Sequence, residues 1–417
     1  MSAMPKLKNV SLLILSVLSI ASQTVMDAQA VPFFMKRRPY RAEKNAIDQE
    51  VKQIEEEDKK QEAEDKDKAK AAPVTVDDAF AIEEKDKNKQ IERHTKLGDM
   101  FFGRRDYTNA LLEFEAVIKV DEENFKAHYM LGKVLMSMAD YEEALKEFER
   151  VISIRPNTQD GHYMKAEALR MAGNYDEARS EYQKVLKIDP GNAVAHAYLG
   201  ECFRNRGNFR DSIAECKAAL KIDPKMVMPH LILAQCYSSV RMPDEAQAEY
   251  KKAIELNPED AVVHARYGVF LGKSKKWPEA LDQFMIAKEM DPNYAEGRIG
   301  LSWALVYAKK MTEALKEARA AVALSPNDPD SHSNLAWVYS KNNDHQSAII
   351  EYRLALQIDA RNGQLHKALA MELKDLGDSS AAISELMTAR TMMPNDEEVK
   401  IALHDLLPKS KDQSGRY

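Results

Sequence analysis

Eight of the ten histidines in this 417-residue chain fall on a single 34-residue clock: His94, His128, His162, His196, His230, His264, His332 and His366, with Arg298 filling the one missing beat. Imidazole is a metal ligand and a general base, so a ladder of this kind raises the question of metal or proton chemistry. Spacing argues against a metal ladder. Zinc draws its ligand nitrogens to about 2.0–2.1 Å, whereas equivalent helices stacked one repeat apart lie about 8–10 Å from each other. One histidine per repeat cannot share an ion, and no metal or other cofactor is expected. The reading that fits is structural: each ring lies half buried between paired helices and hydrogen-bonds a carbonyl.

Other chemically suggestive residues are weaker. There are three cysteines. Cys216 stands where neighbouring units carry an aromatic, so it reads as a small buried hydrophobe. Cys202 and Cys236 hold the same place in adjacent units, too far apart for a bridge, which needs Cα atoms about 4.4–6.8 Å apart. "GVFLGKS" (Gly268–Ser274) is one residue short of a phosphate loop, and its phase places it inside a helix rather than after a strand. Neither H-E-x-x-H, C-x-x-C nor G-x-S-x-G occurs. With no catalytic constellation visible, the chain does not read as an enzyme.

The bulk composition agrees. Hydrophobic residues make up 44% and charged residues 30%, and 60 basic against 67 acidic residues leave a net charge of −7. A nucleic-acid binder would show a basic excess or stripe, so none is expected as a partner. At the N-terminus, Lys6 and Lys8 precede a largely apolar run from Val10 to Ala21, and "AQA" follows at Ala28–Ala30. This is the layout of a secretory signal peptide over residues 1–30, too short to span a bilayer alone. An uncleaved anchor is the alternative, since Met35–Arg38 ("MKRR") puts positive charge soon after the expected cut. Either way the protein is expected outside the cytoplasm, periplasmic if bacterial, and at a membrane only through that anchor. Residues 31–90 are rich in Lys, Glu, Asp, Gln and Ala. They read as a charged linker, disordered or helical, because they have little to bury. Ile47, Val51 and Ile54 form one short stripe of coiled-coil type, and Val74–Ile82 forms an apolar island that could dock elsewhere.

From Ile91 the chain divides into nine units of 34 residues, ending at 396. The eighth place is always small: Gly98, Gly132, Ala166, Gly200, Ala234, Gly268, Ser302, Ala336, Ala370. The twentieth is Ala in every unit but one, where it is Ser212. The twenty-fourth is mostly aromatic, as at Phe114, Phe148, Tyr182, Tyr250, Phe284 and Tyr352. Seven units carry Pro at the thirty-second place, where it closes a helix. This pattern resembles the tetratricopeptide repeat (TPR) family. The resemblance implies an all-α fold, an α-solenoid in which helix–turn–helix repeats stack into a right-handed superhelix with a concave inner face. The departures are His for the family's Trp at the fourth place, Lys165 at a Leu position, and Glu122 and Ala360 in place of Pro, where looser joints are expected. Residues 397–407 read as a helix capping the array, and 408–417 as a disordered tail.

By resemblance, places 2, 5, 9, 12 and 13 of each first helix line an inner groove that binds peptides. Carried onto this chain, the groove is charged in its first half and apolar later: Leu231, Val262 and Val269, then Ile299, Trp303, Val306, Tyr307 and Trp337. Trp303 and Trp337 hold the same place in successive units, and two indoles on neighbouring helices would make a binding hot spot. The Lys/Asn/Arg clamp with which some family members hold a C-terminal carboxylate is missing, since place 5 has Lys only at Lys367 and place 9 has no Asn. The expectation is a non-catalytic scaffold in a cell envelope that binds a peptide or helical segment of another protein. The alternative is an accessory positioning subunit of a polysaccharide, pilus or protein export machine.

Overall fold

The computed structural model describes residues 76–407, with Lys52, Glu56 and Lys60 placed as isolated helical positions. The signal-peptide layout, most of the linker and the tail therefore lie outside the described residues. So do Val74 and the side chains of 76–82, and with them the docking island. The described residues contain nineteen α-helices and no strand, and none of these helices is long and apolar enough to cross a membrane. The chain divides into two compact units, Met1–Pro224 and Lys225–Tyr417.

In the first unit, α1 (Val76–Gly103) is followed by α2 (Tyr107–Val120), α3 (Phe125–Ser137), α4 (Tyr141–Ile154), α5 (Gln159–Met171), α6 (Tyr175–Ile188), α7 (Ala193–Asn205) and α8 (Phe209–Ile222). Successive helices pair as hairpins. Short polar residues start them: Asp106, Asn124, Asp140, Asn192 and Asn208 each accept a backbone N–H from the first turn through the side chain. Hairpin packing follows from the glycine at the eighth place. A Cβ on Gly132 would lie 2.6 Å from the Phe148 ring, and one on Gly98 would lie 2.8 Å from Phe114. Without that Cβ, Phe114 and Phe148 enter between the helices and are fully buried. Burying such a ring contributes about 1.5–3 kcal/mol. In the fourth hairpin Cys216 takes the ring's place, its Sγ 2.7 Å from where a Gly200 Cβ would stand, and it is buried as expected. Lys165, the misfit at a Leu position, keeps its stem half covered and pairs its ammonium with Glu149 at 2.8 Å. The joint at Glu122 is closed by Asn124 N–H donating to Asp121 O at 3.1 Å, the same bond that closes the Pro-bearing joint at Asp189–Asn192. The chain thus reproduces this turn without proline.

In the second unit the hairpins are α9 (Val227–Ser239) with α10 (Pro243–Leu256), α11 (Ala261–Lys273) with α12 (Trp277–Met290), α13 (Ala295–Tyr307) with α14 (Met311–Leu324), α15 (Pro329–Lys341) with α16 (His345–Ile358) and α17 (Gly363–Asp375) with α18 (Ser379–Met392). One apolar cluster runs from Leu231 to Val338 through Tyr250, Phe270, Phe284, Leu301 and Leu305. Phe284 serves two hairpins. A Cβ on Gly268 would stand 2.9 Å from it, and Gly300, on the next first helix, also faces the ring too closely for any side chain. The first helices α9, α11, α13 and α15 touch in succession. The unit closes with α19 (Glu397–Leu406), which buries Val399, Ala402 and Leu403 against Leu386 and Ala389. Lys367 pins it by pairing with Asp396 and Glu398, both at 3.0 Å.

Between the two helices of each hairpin the chain makes a tight turn whose fifteenth-place residue has positive φ. Glycine holds it at Gly173, Gly207 and Gly377, but Arg105, Ala139, Arg241, Lys275, Lys309 and Asn343 also adopt it. Left-handed backbone costs a non-glycine residue roughly 1–2 kcal/mol.

Candidate functional site

The histidine ladder has one repeated geometry. Nδ1 of His94, His128, His162, His196, His230, His332 and His366 lies 2.5–2.7 Å from the carboxylate nineteen residues on, that of Glu113, Glu147, Glu181, Glu215, Glu249, Glu351 or Glu385. His264 faces Gln283 instead, at 2.8 Å. On the other side of the ring, Nε2 of His128, His162, His264 and His332 lies 3.0–3.1 Å from the backbone carbonyl six residues earlier. Each of these four imidazoles thus ties its first helix both to the second and to the preceding turn.

At His128 both ring nitrogens face acceptors, which favours the doubly protonated ring, because a neutral imidazole has only one donor. Burial opposes charge on His128, but the Glu147 carboxylate and the Glu122 carbonyl outweigh it and hold its pKa above the ordinary 6.5. The exception in the series behaves in the same way. Arg298 donates to Glu317 at 2.5 Å and to Pro292 O at 2.7 and 2.9 Å. Burial disfavours the Glu317 charge, yet Lys288 and Arg298 hold its carboxyl below the usual range. A donor at the fourth place and an acceptor at the twenty-third is therefore the rule of this array. The Nδ1 atoms are occupied in holding the hairpin together.

The apolar residues of the second unit form a more open surface. Trp303 and Tyr307 on α13 meet a residue that sequence reasoning passed over, Trp277, which opens α12, and Trp337 on α15 joins them through Tyr307. Trp277 stacks on Tyr307 with ring centroids 3.7 Å apart and planes 8° from parallel. Trp303 meets Trp277 edge-on at 5.3 Å, and Tyr307 lies 6.2 Å from Trp337. Trp303 and Trp337 are thus joined through Tyr307. Gly272 seats the ledge, since a Cβ there would lie 2.9 Å from the Trp277 ring. Tyr307 remains 48% exposed, while the three indoles are half buried. They are also the only tryptophans in the chain.

The remaining groove residues divide by depth. Val262, Val269, Ile299 and Val306 are half buried along the first helices, with Val269 and Val306 packed on the core. Leu231 is a correction. At 4% exposure it belongs to the core cluster, because α9 and α11 are in direct contact and cover it, so it offers a partner no surface. In the first unit three charged groove places, Glu167, Arg170 and Glu201, satisfy one another. Arg170 pairs with Glu167 at 3.0 Å and Glu201 at 3.2 Å, Glu167 accepts from the Tyr182 hydroxyl, and the Arg170 guanidinium lies 4.5 Å from the Tyr198 ring centroid. That network is built to hold itself rather than to receive a charged partner.

Tetratricopeptide-repeat family profiles match residues 95–160, 129–193, 169–236, 230–260 and 317–350. With the hairpins continuing in register between and beyond these segments, the chain is a tetratricopeptide repeat protein and its fold an α-solenoid. Among solved structures it is similar to the Cut9–Hcn1 hetero-tetramer of the APC/C, at 13% identity over 76% of each chain with a TM-score of 0.53. It is also similar to PilF of Pseudomonas aeruginosa, at 23% identity over 54% of this chain and 99% of that one with a TM-score of 0.43. A MamA protein matches at 20% identity over 41% of this chain and 94% of that one, with a TM-score of 0.38. At these identities the likeness is one of fold. No curated protein matches the chain.

Proposed function

We propose that this protein is a non-catalytic scaffold that binds an extended or helical segment of another protein on the first-helix face of its second unit, in a cell envelope. The observation that carries the reading is the aromatic ledge. Trp277, Trp303, Tyr307 and Trp337 are gathered on adjacent hairpins and left half open. Aromatic clusters open to solvent in a preformed wall are energetically suited to anchor a partner. The helices beneath are fixed by core contacts, so binding requires little reordering of the wall. Extracytoplasmic location rests on the signal-like layout of residues 1–30 alone.

Pull-down from envelope fractions, comparing the full chain with its Trp303→Ala/Trp337→Ala form, tests this. We expect a set of proteins recovered by the wild type and lost with the double variant. Equal recovery by both, with the variant folded, would remove the ledge from binding.

A further inference from the structure

The aromatic ledge lies at the end of the unit where first and second helices turn back, and those turns carry a strong charge bias. Over 272–280, 306–313 and 340–345 stand Lys273, Lys275, Lys276, Lys309, Lys310 and Lys341, against Glu279, Glu313 and Asp344. All six lysines are exposed. The bias is local and contrary to the whole chain, whose net charge is −7. At the opposite end of the same unit, the turns between hairpins carry Glu259, Asp260, Asp291, Asp328, Asp330 and Asp359. The three turns around the ledge are therefore basic, while the turns at the opposite end of the same hairpins are acidic.

Part of this lysine charge has local work. Lys341 Nζ lies 5.8 Å from the Trp337 ring centroid, Lys276 donates to Gln247 at 3.1 Å, and Lys310 sits 3.9 Å from Glu313. Lys273, Lys275 and Lys309 make no ion pair with any described residue. Cations at a helix C-terminus also complement its dipole, but that effect is small at exposed positions. It does not call for lysine at Lys275 and Lys309, where the backbone has positive φ and glycine would be the cheaper residue. A cleft begins one residue after Lys310. It is lined by Met311, Thr312, Leu315, Lys316, Arg319 and Asn342, so an apolar floor beside basic side chains occurs a second time.

We propose that the lysine-rimmed ledge of Trp277, Tyr307 and Trp337 takes an acidic protein segment carrying apolar side chains. The aromatic rings receive the apolar side chains and the three unpaired lysines receive the carboxylates. This rests on the second unit's face being a protein-binding surface, and it specifies the chemistry of what binds. A single-stranded nucleic acid also combines negative charge with stacking groups, but it is the less favoured occupant. Trp277 and Tyr307 spend one face each on the other, and the chain as a whole repels polyanions.

The test selects binders for the full-length protein from a random peptide display library and titrates the synthesised winners by tryptophan fluorescence. All three tryptophans belong to the ledge, so the signal reports on this site alone. We expect enriched peptides to pair Asp or Glu with Phe, Trp or Leu. Their affinity should weaken about tenfold or more in Lys273→Glu/Lys275→Glu/Lys309→Glu, and fall with added salt. A parallel Trp337→Ala variant should also weaken binding, and circular dichroism should show both variants folded. If winners are neutral or basic, or indifferent to the charge reversal while still needing Trp337, the acidic specificity is wrong although the ledge binds protein. If neither variant alters their affinity, or no peptide is enriched, both readings fall. An oligothymidine that outcompetes the acidic peptides would also overturn the proposal.

Discussion

Replacing Glu147 by Gln removes one negative charge from the histidine ladder and little else. Gln is nearly isosteric, and its carbonyl can still accept from His128, as Gln283 already accepts from His264 at 2.8 Å. What is lost is the charge assistance of a 2.6 Å contact between groups whose side chains are 8% and 23% exposed. Hydrogen bonds to charged groups contribute about 1.5–3 kcal/mol and neutral ones about 0.5–1.5 kcal/mol, so the variant should lose about 1 kcal/mol where the ring is protonated. The pH dependence gives the sharper test. Because the folded pKa of His128 is raised above 6.5, the stability it contributes is complete below that value. That contribution is lost as pH rises through the folded pKa, with a slope of at most about 1.4 kcal/mol per pH unit for one proton. Urea unfolding followed by far-ultraviolet circular dichroism should show the deficit of Glu147→Gln near pH 6 and its narrowing near pH 8. An equal deficit at both pH values would mean that the folded ring is neutral and the ladder a matter of shape. The acid limb has the opposite sign. Burial disfavours the charges of Glu181 and Glu249, but Lys184 with His162, and Lys252 with His230, lower both pKa values below 4.5, so their contribution is lost as pH falls beneath that range.

Three further outcomes follow from packing and backbone. Gly300→Ala drives a methyl into the fully buried Phe284 ring and should destabilise the second unit by about 1–3 kcal/mol, read as a lowered urea midpoint; no loss would show that the ring can move aside. Ala139→Gly relieves left-handed backbone at φ 61° and should stabilise by up to about 1 kcal/mol, the relief being partly offset by the freer unfolded chain; a lower melting temperature would contradict the turn geometry. Burial, with Glu201 beside it, pushes the Cys202 thiol up to about 12, and Cys216 and Cys236 are buried too; a thiol reagent at neutral pH should therefore label none of the three until denaturant is added.

The hairpins were legible because each is specified inside 34 residues. Gly132 and Phe148, or Gly268 and Phe284, announce a ring entering where a Cβ is missing, and that relation repeats whatever the neighbours do. The partner of each histidine was equally available, since Glu113, Glu147, Glu181, Glu215, Glu249, Gln283, Glu317, Glu351 and Glu385 share one place. A carbonyl was anticipated and the carboxylate was not, because helix-face reasoning does not pair residues nineteen apart. The ledge was half legible. Trp303, Tyr307 and Trp337 follow from their places on first helices, but Trp277 opens a second helix and reaches Tyr307 only through contact between hairpins. The signal that could have found it is Gly272, which has no turn to make and instead leaves room for an indole. Leu231 was misplaced for the converse reason: its place is open on a lone hairpin, and the approach of α11 closes it.

The most direct measurement puts a photocrosslinking amino acid at Tyr307, on the exposed part of the ledge, and in a second protein at Met285, which is equally exposed on α12. Irradiated in the cells that make it, the Tyr307 form should yield a covalent adduct with another polypeptide and the Met285 form should not. Adducts at both positions alike, or at neither, would contradict the ledge as the surface through which this protein works.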